Sequence, residues 1–449
     1  MQWVALVFSL ALMGLFQLLT RAGPLEARAT LALGFLLLAA HLGGDLAKQF
    51  RLPRITGLLL TGLLVGPAWL GLVRGDEVAA LGFVGDAAAA LIAFTAGSQL
   101  NLEMLRQGRR MLVRVTGASI VFPLAIVAAV TLSVSPWFLL SVLGAHQPFG
   151  DALAIALVLG AVAAASSPTV TVALMEELDA RGPLARAVLS VAAAKDVAII
   201  AVFALILLVA RPLASGGALD LSVVGRVLLY GVASIAAGAA LGVLISQYLK
   251  LLRSDSPLFL VAVAFLTAQA ARLLNLELLL IALTAGFYVV TFSPAEGSRL
   301  ETQLRRAALP VYALFFALAG AGLQVDFLRD NWGWVVLLVA LRALGLRVGT
   351  RFAGRSPLVP AGLANHGWLG LISQAGVTFG LAAAARRAFP EWGVSLEALV
   401  VAMIGVHEIL GPLCFQRALR LTGEVTEGEH VTQKDDTAGP ALVPGSGGM

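Results

Sequence analysis

AVAAASSPTVTVAL, residues 161–174, sets a proline and four hydroxyls in the middle of an otherwise continuous apolar run. Pro168 has no N–H and leaves a carbonyl one turn earlier without its partner. Ser166, Ser167, Thr169 and Thr171 are placed to satisfy or redirect the freed backbone groups. At membrane depth, such a break leaves carbonyls and half-helix ends able to coordinate a cation beside a carboxylate. The plainer alternative is a proline kink steadied by serine hydroxyls. The surroundings of the break decide between the two.

Those surroundings are membrane-like throughout. Of 449 residues, 59% are hydrophobic and 13% charged, and the mean hydropathy is +0.91, far from a soluble globular average. Apolar runs of about 17 to 25 residues, each long enough to cross a hydrocarbon core of roughly 30 Å, alternate with short polar turns. About fourteen spans are expected, and the continuity of the runs excludes an alternating porin-like barrel. The first seven lie near 3–20, 28–47, 54–73, 80–97, 110–134, 151–178 and 184–209. The second seven lie near 222–250, 257–272, 276–293, 306–324, 331–353, 359–387 and 395–418. The chain reads as an all-α polytopic membrane protein whose partner is the lipid bilayer.

A pI of 9.8 would suit a nucleic-acid binder, but the basic residues report topology instead. About 19 Lys and Arg fall in the turns after even-numbered spans and in the C-terminal tail, against about 8 after odd-numbered ones. The positive-inside rule then places both termini in the cytoplasm, and no nucleic-acid partner is expected. The first span has no basic leader and no convincing cleavage site, so it is expected to be a retained helix. Residues 421–449, polar and rich in Gly and Pro, are expected to be a disordered tail, with no regulatory domain after the membrane region. The single Cys414 excludes an intramolecular disulfide. No metal-ligand spacing, nucleophile motif or phosphate loop occurs, so neither cofactor nor enzymatic activity is expected.

Charges inside spans are costly and normally mark a pathway or a paired site. They are Asp86, Lys195, Asp196, Arg342, Arg347 and Glu408, with His41, His366 and His407 as titratable neighbours. Asp196 lies near the middle of its span, whereas Arg226 and Glu277 lie close enough to helix ends for their heads to reach the interface. The second half carries its own interruption, GWLGLISQAGVTFGLA at 367–382, with Ser373, Gln374 and Gly376 in mid-span. One interrupted helix per half is the sequence pointer to an inverted-repeat transporter. Each interruption is followed by a span with a buried carboxylate, Asp196 and then Glu408. Glu408 has the alternative of lying near a helix end, paired with Arg417 or His407.

These stretches resemble the cation:proton antiporter superfamily, in particular its Kef-type and bacterial sodium/proton exchanger branch, over roughly residues 28–418. RLPRITGLLLTGLLVGP at 51–67 resembles the family's first core helix, and FTAGSQLNLEML at 94–105 its Phe-Leu-Ala-Gly-Leu-Glu segment. SSPTV at 166–170 is similar to the broken helix and KDVAII at 195–200 to the ion-site helix. FFALAGAGLQVDFL at 315–328, LRALGLRVGTRFAGR at 341–355 and SQAGVTFGLA at 373–382 follow in family order. The resemblance implies about thirteen core helices in a dimerisation panel and a core transport domain, with crossed broken helices. An extra transmembrane helix at 1–27 precedes an exchanger domain at 28–420, in a homodimer at the cell inner membrane.

The resemblance also implies that Asp196 alternately binds a proton and a monovalent cation, Na+ or K+, beside Ser166, Ser167, Thr169 and Gln374. Pro168 and Gly376 mark the breaks. Arg342, or Arg347 in its place, would balance the dipoles of the crossed helices or pair with Asp196, and Asp86 and Glu408 are possible accessory groups. The chain departs from the family pattern at Lys195, where Asn, Asp or Gln is usual, and at Gln99, where Glu is usual. The acidic residue expected between Gln374 and Val377 is missing, and Asp86 is an added charge. Lys195 has two readings: an ammonium paired with Asp196, or a side chain pointing about 100° away toward another element such as Asp86. Besides antiport, the residues leave open a Kef-like gated cation efflux channel, a sensor that transports nothing, and an intramembrane hydrolase using Asp196 with Glu408.

Overall fold

The computed structural model describes residues 6–7, 9–14, 23–100, 102, 106, 108–135, 149–215, 221–252, 257–323, 325–375 and 377–425. Among them the secondary structure is entirely helical, with no strand. The first half holds α1 (Leu25–Gln49), α2 (Arg54–Val65), the short α3 (Gly75–Ala80), α4 (Gly82–Ser98) and α5 (Arg109–Ser133). It continues with α6 (Phe149–Ala164), α7 (Pro168–Glu177) and α8 (Pro183–Ser215), after which α9 (Leu221–Leu252) leads into the second half. There follow α10 (Pro257–Leu274), α11 (Leu278–Phe292), α12 (Pro294–Ala321), the short α13 (Val325–Asp330) and α14 (Trp332–Ala353). The last three are α15 (Ala361–Gly370), α16 (Val377–Ala388) and α17 (Gly393–Leu421).

Seven of these segments are long and apolar enough to cross a membrane, with the interrupted Phe149–Glu177 counted as one. Four shorter apolar helices, Arg54–Val65, Gly82–Ser98, Leu258–Leu274 and Leu278–Phe292, lie among them. With α12 and the interrupted pair α15–α16, they account for the spans expected from residue 28 onward. Two spans differ from expectation. The one placed at 54–73 stops being helical at Val65, because Gly66 precedes Pro67 and the residue before a proline is driven out of the helical region. The one placed at 306–324 starts far earlier, at Pro294, a residue suited to a first helical position because it needs no N–H there. Most of the expected first span and residues 426–449 of the expected tail lie outside the described residues. Residues 6–7 and 9–14 are helical, with Leu6 and Met13 buried in the core.

The same contacts occur twice. α2 packs on α12, and α11 packs on α4. Both crossings are backbone to backbone: a Cβ on Gly62 would lie 2.0 Å from the Ala317 carbonyl oxygen, and one on Gly286 would lie 2.1 Å from that of Phe94. α5 packs on α6 as α14 packs on α15, and α7 meets α8 as α16 meets α17. The two halves are thus structural repeats joined by α9, as the paired interruptions imply. One group of helices, α5–α8 with α14–α17, surrounds the interruptions. The other, α1, α2, α4 and α9–α12, forms the panel beside it.

Small residues make the panel crossings possible, since lipid offers no hydrophobic drive for helix association and packing must supply it. Gly320→Val would put a branched side chain where the first carbon already lies 2.1 Å from the Leu59 carbonyl oxygen. The expected cost is about 2 to 3 kcal/mol, read as a lower melting midpoint in detergent. A wild-type midpoint would refute the crossing.

Two carboxylates cap helices of other elements. Neither oxygen of Glu177, at the end of α7, is spent on its own helix; they accept the N–H groups of Arg54 and Ile55 at the start of α2. Pro53 at the cap position of α2 makes no side-chain cap bond, so Glu177 satisfies donors that would otherwise be orphaned. Glu424 does the same for Leu184 and Ala185 at the start of α8. Beside Glu177, Gln99 at the end of α4 donates to Glu176.

Candidate functional site

The two interruptions meet. α6 ends at Ala164 and α7 begins at Pro168, while α15 ends at Gly370 and α16 begins at Val377. Between them the extended segments run past each other, and the Ser167 N–H donates to the Ser373 carbonyl at 2.9 Å. Gly376 lies outside the described residues. Ser167 and Thr169 exchange a hydroxyl hydrogen bond at 2.6 Å, and Gln374 Nε2 donates to the Val162 carbonyl at 2.7 Å. Gln374 Oε1 is buried without a partner.

Arg342 of α14 fills the place where the first half-helices end. It is 0% exposed. Its guanidinium donates to the carbonyls of Ala163 (2.9 Å) and Ala165 (2.7 Å) on one side, and of Leu371 (3.0 Å) and Ile372 (2.6 Å) on the other. Each helix C-terminus carries about half a negative charge. Two of them, aimed at one guanidinium, cancel its charge without a carboxylate. Of the two roles expected for this arginine, the dipole-balancing one is what the geometry contains, and no Arg342–Asp196 pair forms. Arg347, expected as its substitute, is instead exposed, its guanidinium 5.8 Å from the Trp368 ring centre. It points away because five residues along a helix is well past one turn.

Lys195 and Asp196 on α8 diverge. Lys195, also 0% exposed, donates from Nζ to Ser166 Oγ at 2.8 Å. Ser166 Oγ in turn donates to the Leu371 carbonyl at 2.8 Å. The lysine therefore faces the crossing. It makes no ion pair with Asp196, and it does not face Asp86, whose partner is Arg272 of α10 at 3.3 Å. Asp196 is 5% exposed, and its carboxylate has neither hydrogen bond nor ion pair among the described residues. The half-helices that start at the crossing, α7 and α16, both pack on α8. They bring two N-terminal partial positive charges toward the helix that carries the unpaired carboxylate.

A cavity of about 930 Å³ opens at one end of the molecule, and Asp196 is not among the residues that line it. Ile200 and Phe203 line it, one and two turns beyond Asp196 on the same stripe of α8. Asp86, Arg272 and Arg387 line it nearer the surface. Glu277 also lines it, which corrects the expectation that this side chain reaches the membrane interface. Asn275, at φ 54°, turns the chain sharply between α10 and α11. Leu276 N then bonds back to the Ala271 carbonyl, and the Glu277 N–H donates to Ser234 Oγ at 2.9 Å. Thus anchored, the residue aims inward. Its sequence signal was a lone carboxylate in the apolar turn LLNLELLL, 273–280. At the opposite end of the molecule the Glu177 and Gln99–Glu176 contacts lie beside a smaller cavity of about 280 Å³.

The remaining candidates stand apart. Glu408 is buried in mid-helix with Oε1 unpartnered, and neither Arg417 nor His407 forms an ion pair with it. His41 lies at the surface against Arg54 (2.9 Å) and 3.6 Å from Asp45. Among the described residues no group of His, Cys, Asp and Glu could hold a metal ion.

Crossed broken helices, a buried arginine on their carbonyl ends and an unpaired, buried carboxylate on the adjoining helix define a secondary transporter scaffold. Residues 33–416 match the family described as "Sodium/hydrogen exchanger, transmembrane", and the chain belongs to that family. It is similar to the "High-affinity Na(+)/H(+) antiporter NhaS3" of Synechocystis sp., with 25% identity over 88% of this chain and 90% of that protein. It also resembles the "Na(+)/H(+)-K(+) antiporter GerN" and the "Probable Na(+)/H(+) antiporter GerT" of Bacillus cereus, at 31% and 30% identity. Those two matches span 20% of this chain and 23% of each relative. The fold is similar to that of the sodium proton antiporter MjNhaP1 from Methanocaldococcus jannaschii, at 17% identity and a TM-score of 0.64, covering 89% of this chain and 99% of that one.

Proposed function

We propose that the chain is a secondary active antiporter exchanging protons for a monovalent cation, Na+ or K+, by alternating access, with Asp196 as the carboxylate both species share. The observation that carries this reading is the lone state of Asp196: buried, unpaired, and beside a lysine that is engaged elsewhere. A charged carboxylate at membrane depth costs several kcal/mol unless something neutralises it. A proton or a partly dehydrated cation can each do so, which makes them competitors for one site. Ser166, Ser167, Thr169 and Gln374 shape the crossing around it, and Arg342 keeps that crossing neutral without consuming the carboxylate.

Residues 28–420 form the exchanger domain in this reading, with an added helix at 1–27 and a tail at 421–449. The chain is assigned as a homodimer in the inner membrane with both termini cytoplasmic, so the larger cavity opens outward. Alternating access needs the two ends to differ, and the larger cavity at one end with the Glu177 contacts at the other supports that. A channel would need a path past both.

The test is proton flux in proteoliposomes with an acidic interior, to which sodium, potassium or lithium is added outside. Cation-dependent collapse of the pH gradient is expected for at least one of the three. No response to any of them would reject antiport.

A further inference from the structure

Glu277 is the one carboxylate of the larger cavity that nothing neutralises. Two arginines line the same space. Arg272 is taken by Asp86 at 3.3 Å, and Arg387, exposed at the rim, makes no ion pair with Glu277. The Glu277 side chain makes no hydrogen bond among the described residues, although its backbone is pinned to Ser234. It rests on bare backbone: a Cβ on Gly380, in the first turns of α16, would lie 3.1 Å from Glu277 Oε2. A glycine there leaves room at the carboxylate. Ile200 and Phe203, one and two turns beyond Asp196 on α8, line the same cavity as Glu277. The two carboxylates belong to different helix groups, Asp196 to the bundle around the crossing and Glu277 to the panel.

Resting on the antiporter reading above, we propose that Glu277 is a second cation-binding carboxylate, which holds the incoming monovalent cation in the cavity before Asp196 receives it. A carboxylate left unpaired in a cavity is available to a mobile ion, whereas one locked in a salt bridge is not. Its place on the panel means that the cation passes from one helix group to the other when it reaches Asp196. The site takes small inorganic monovalent cations, whose partial dehydration a carboxylate with water in the cavity can offset.

The test separates binding from transport. In detergent at constant ionic strength set by choline chloride, thermal stabilisation by sodium, potassium or lithium gives a half-saturating concentration. The expectation for Glu277→Gln is a half-saturating concentration raised about tenfold, the equivalent of about 1.4 kcal/mol, with recovery toward wild type in Glu277→Asp. In proteoliposomes the same variant should raise the apparent KM for cation while the maximal rate stays within about twofold, since Asp196 is intact. A merely structural role would lower the melting midpoint in the absence of cation and leave half-saturation unchanged. Unchanged half-saturation in Glu277→Gln, or no stabilisation of the wild type by any of the three cations, overturns the inference. Cation binding that depends on Glu277 without proton flux would instead overturn the antiport reading and leave the binding site standing.

Discussion

Asp196→Asn abolishes cation-dependent collapse of the pH gradient, to the level of empty liposomes, while the protein stays at least as stable as the wild type. The two halves of this result come from one fact. The Asp196 carboxylate is 5% exposed and has no hydrogen bond or ion pair among the described residues, so its charge is a cost to the fold. The neutral amide is nearly isosteric and removes a desolvation cost of about 1 to 3 kcal/mol. It also removes the only group on α8 able to trade a proton for a cation, and a flux loss of at least about 100-fold follows. Sodium or potassium should stabilise the variant less than the wild type, only by the share that Glu277 alone holds. A melting midpoint clearly below wild type would show that Asp196 is a structural partner after all. Retained flux would move the carrier role to Glu277 or Glu408.

Arg342→Met has the opposite signature, with stability and flux falling together. The guanidinium supplies four hydrogen bonds to carbonyls at two helix ends. Truncation loses all four, and Ala163, Ala165 and Ile372 keep buried acceptors with nothing to fill them, while Leu371 keeps only the Ser166 hydroxyl. Two half-charges of the same sign are also left facing each other. The expected destabilisation is about 3 to 5 kcal/mol, visible as a large drop in melting midpoint or as loss of monodisperse protein. Arg342→Lys should fall between, because an ammonium restores the charge but cannot reach four carbonyls with a planar fork. A wild-type midpoint in Arg342→Met would mean that the crossing is held by packing alone.

Much of the scaffold was legible because its signals are local. Pro168 and the hydroxyls around it predict a break wherever they occur in an apolar run, and Ser373 with Gln374 do the same in the second half. Asp196 was legible because a charge amid alanines and valines has few innocent explanations. Lys195 was not. Its direction depends on which element lies about 100° around the helix, and no local pattern says that Ser166 waits there. Arg342 and Arg347 present the same problem five residues apart, and burial chose between them. Glu277 was misread because proximity to a helix end normally implies solvent. The Asn275 turn reverses that by folding the end inward against Ser234. The pairing of α2 with α12 and of α11 with α4 was invisible in a single chain read from end to end, since glycines separated by more than a hundred residues carry no mark of which backbone they will meet.

Glu177 is attached where Glu277 is free, and the two sit at opposite ends of the same machine. Glu177 belongs to the bundle around the crossing and Arg54 and Ile55 to the panel, so this carboxylate ties the two helix groups across their seam. A motion of one group against the other that parts them leaves the first turn of α2 uncapped, at about 1.5 to 3 kcal/mol for each bond lost. The tie sits at the end of the protein away from the larger cavity.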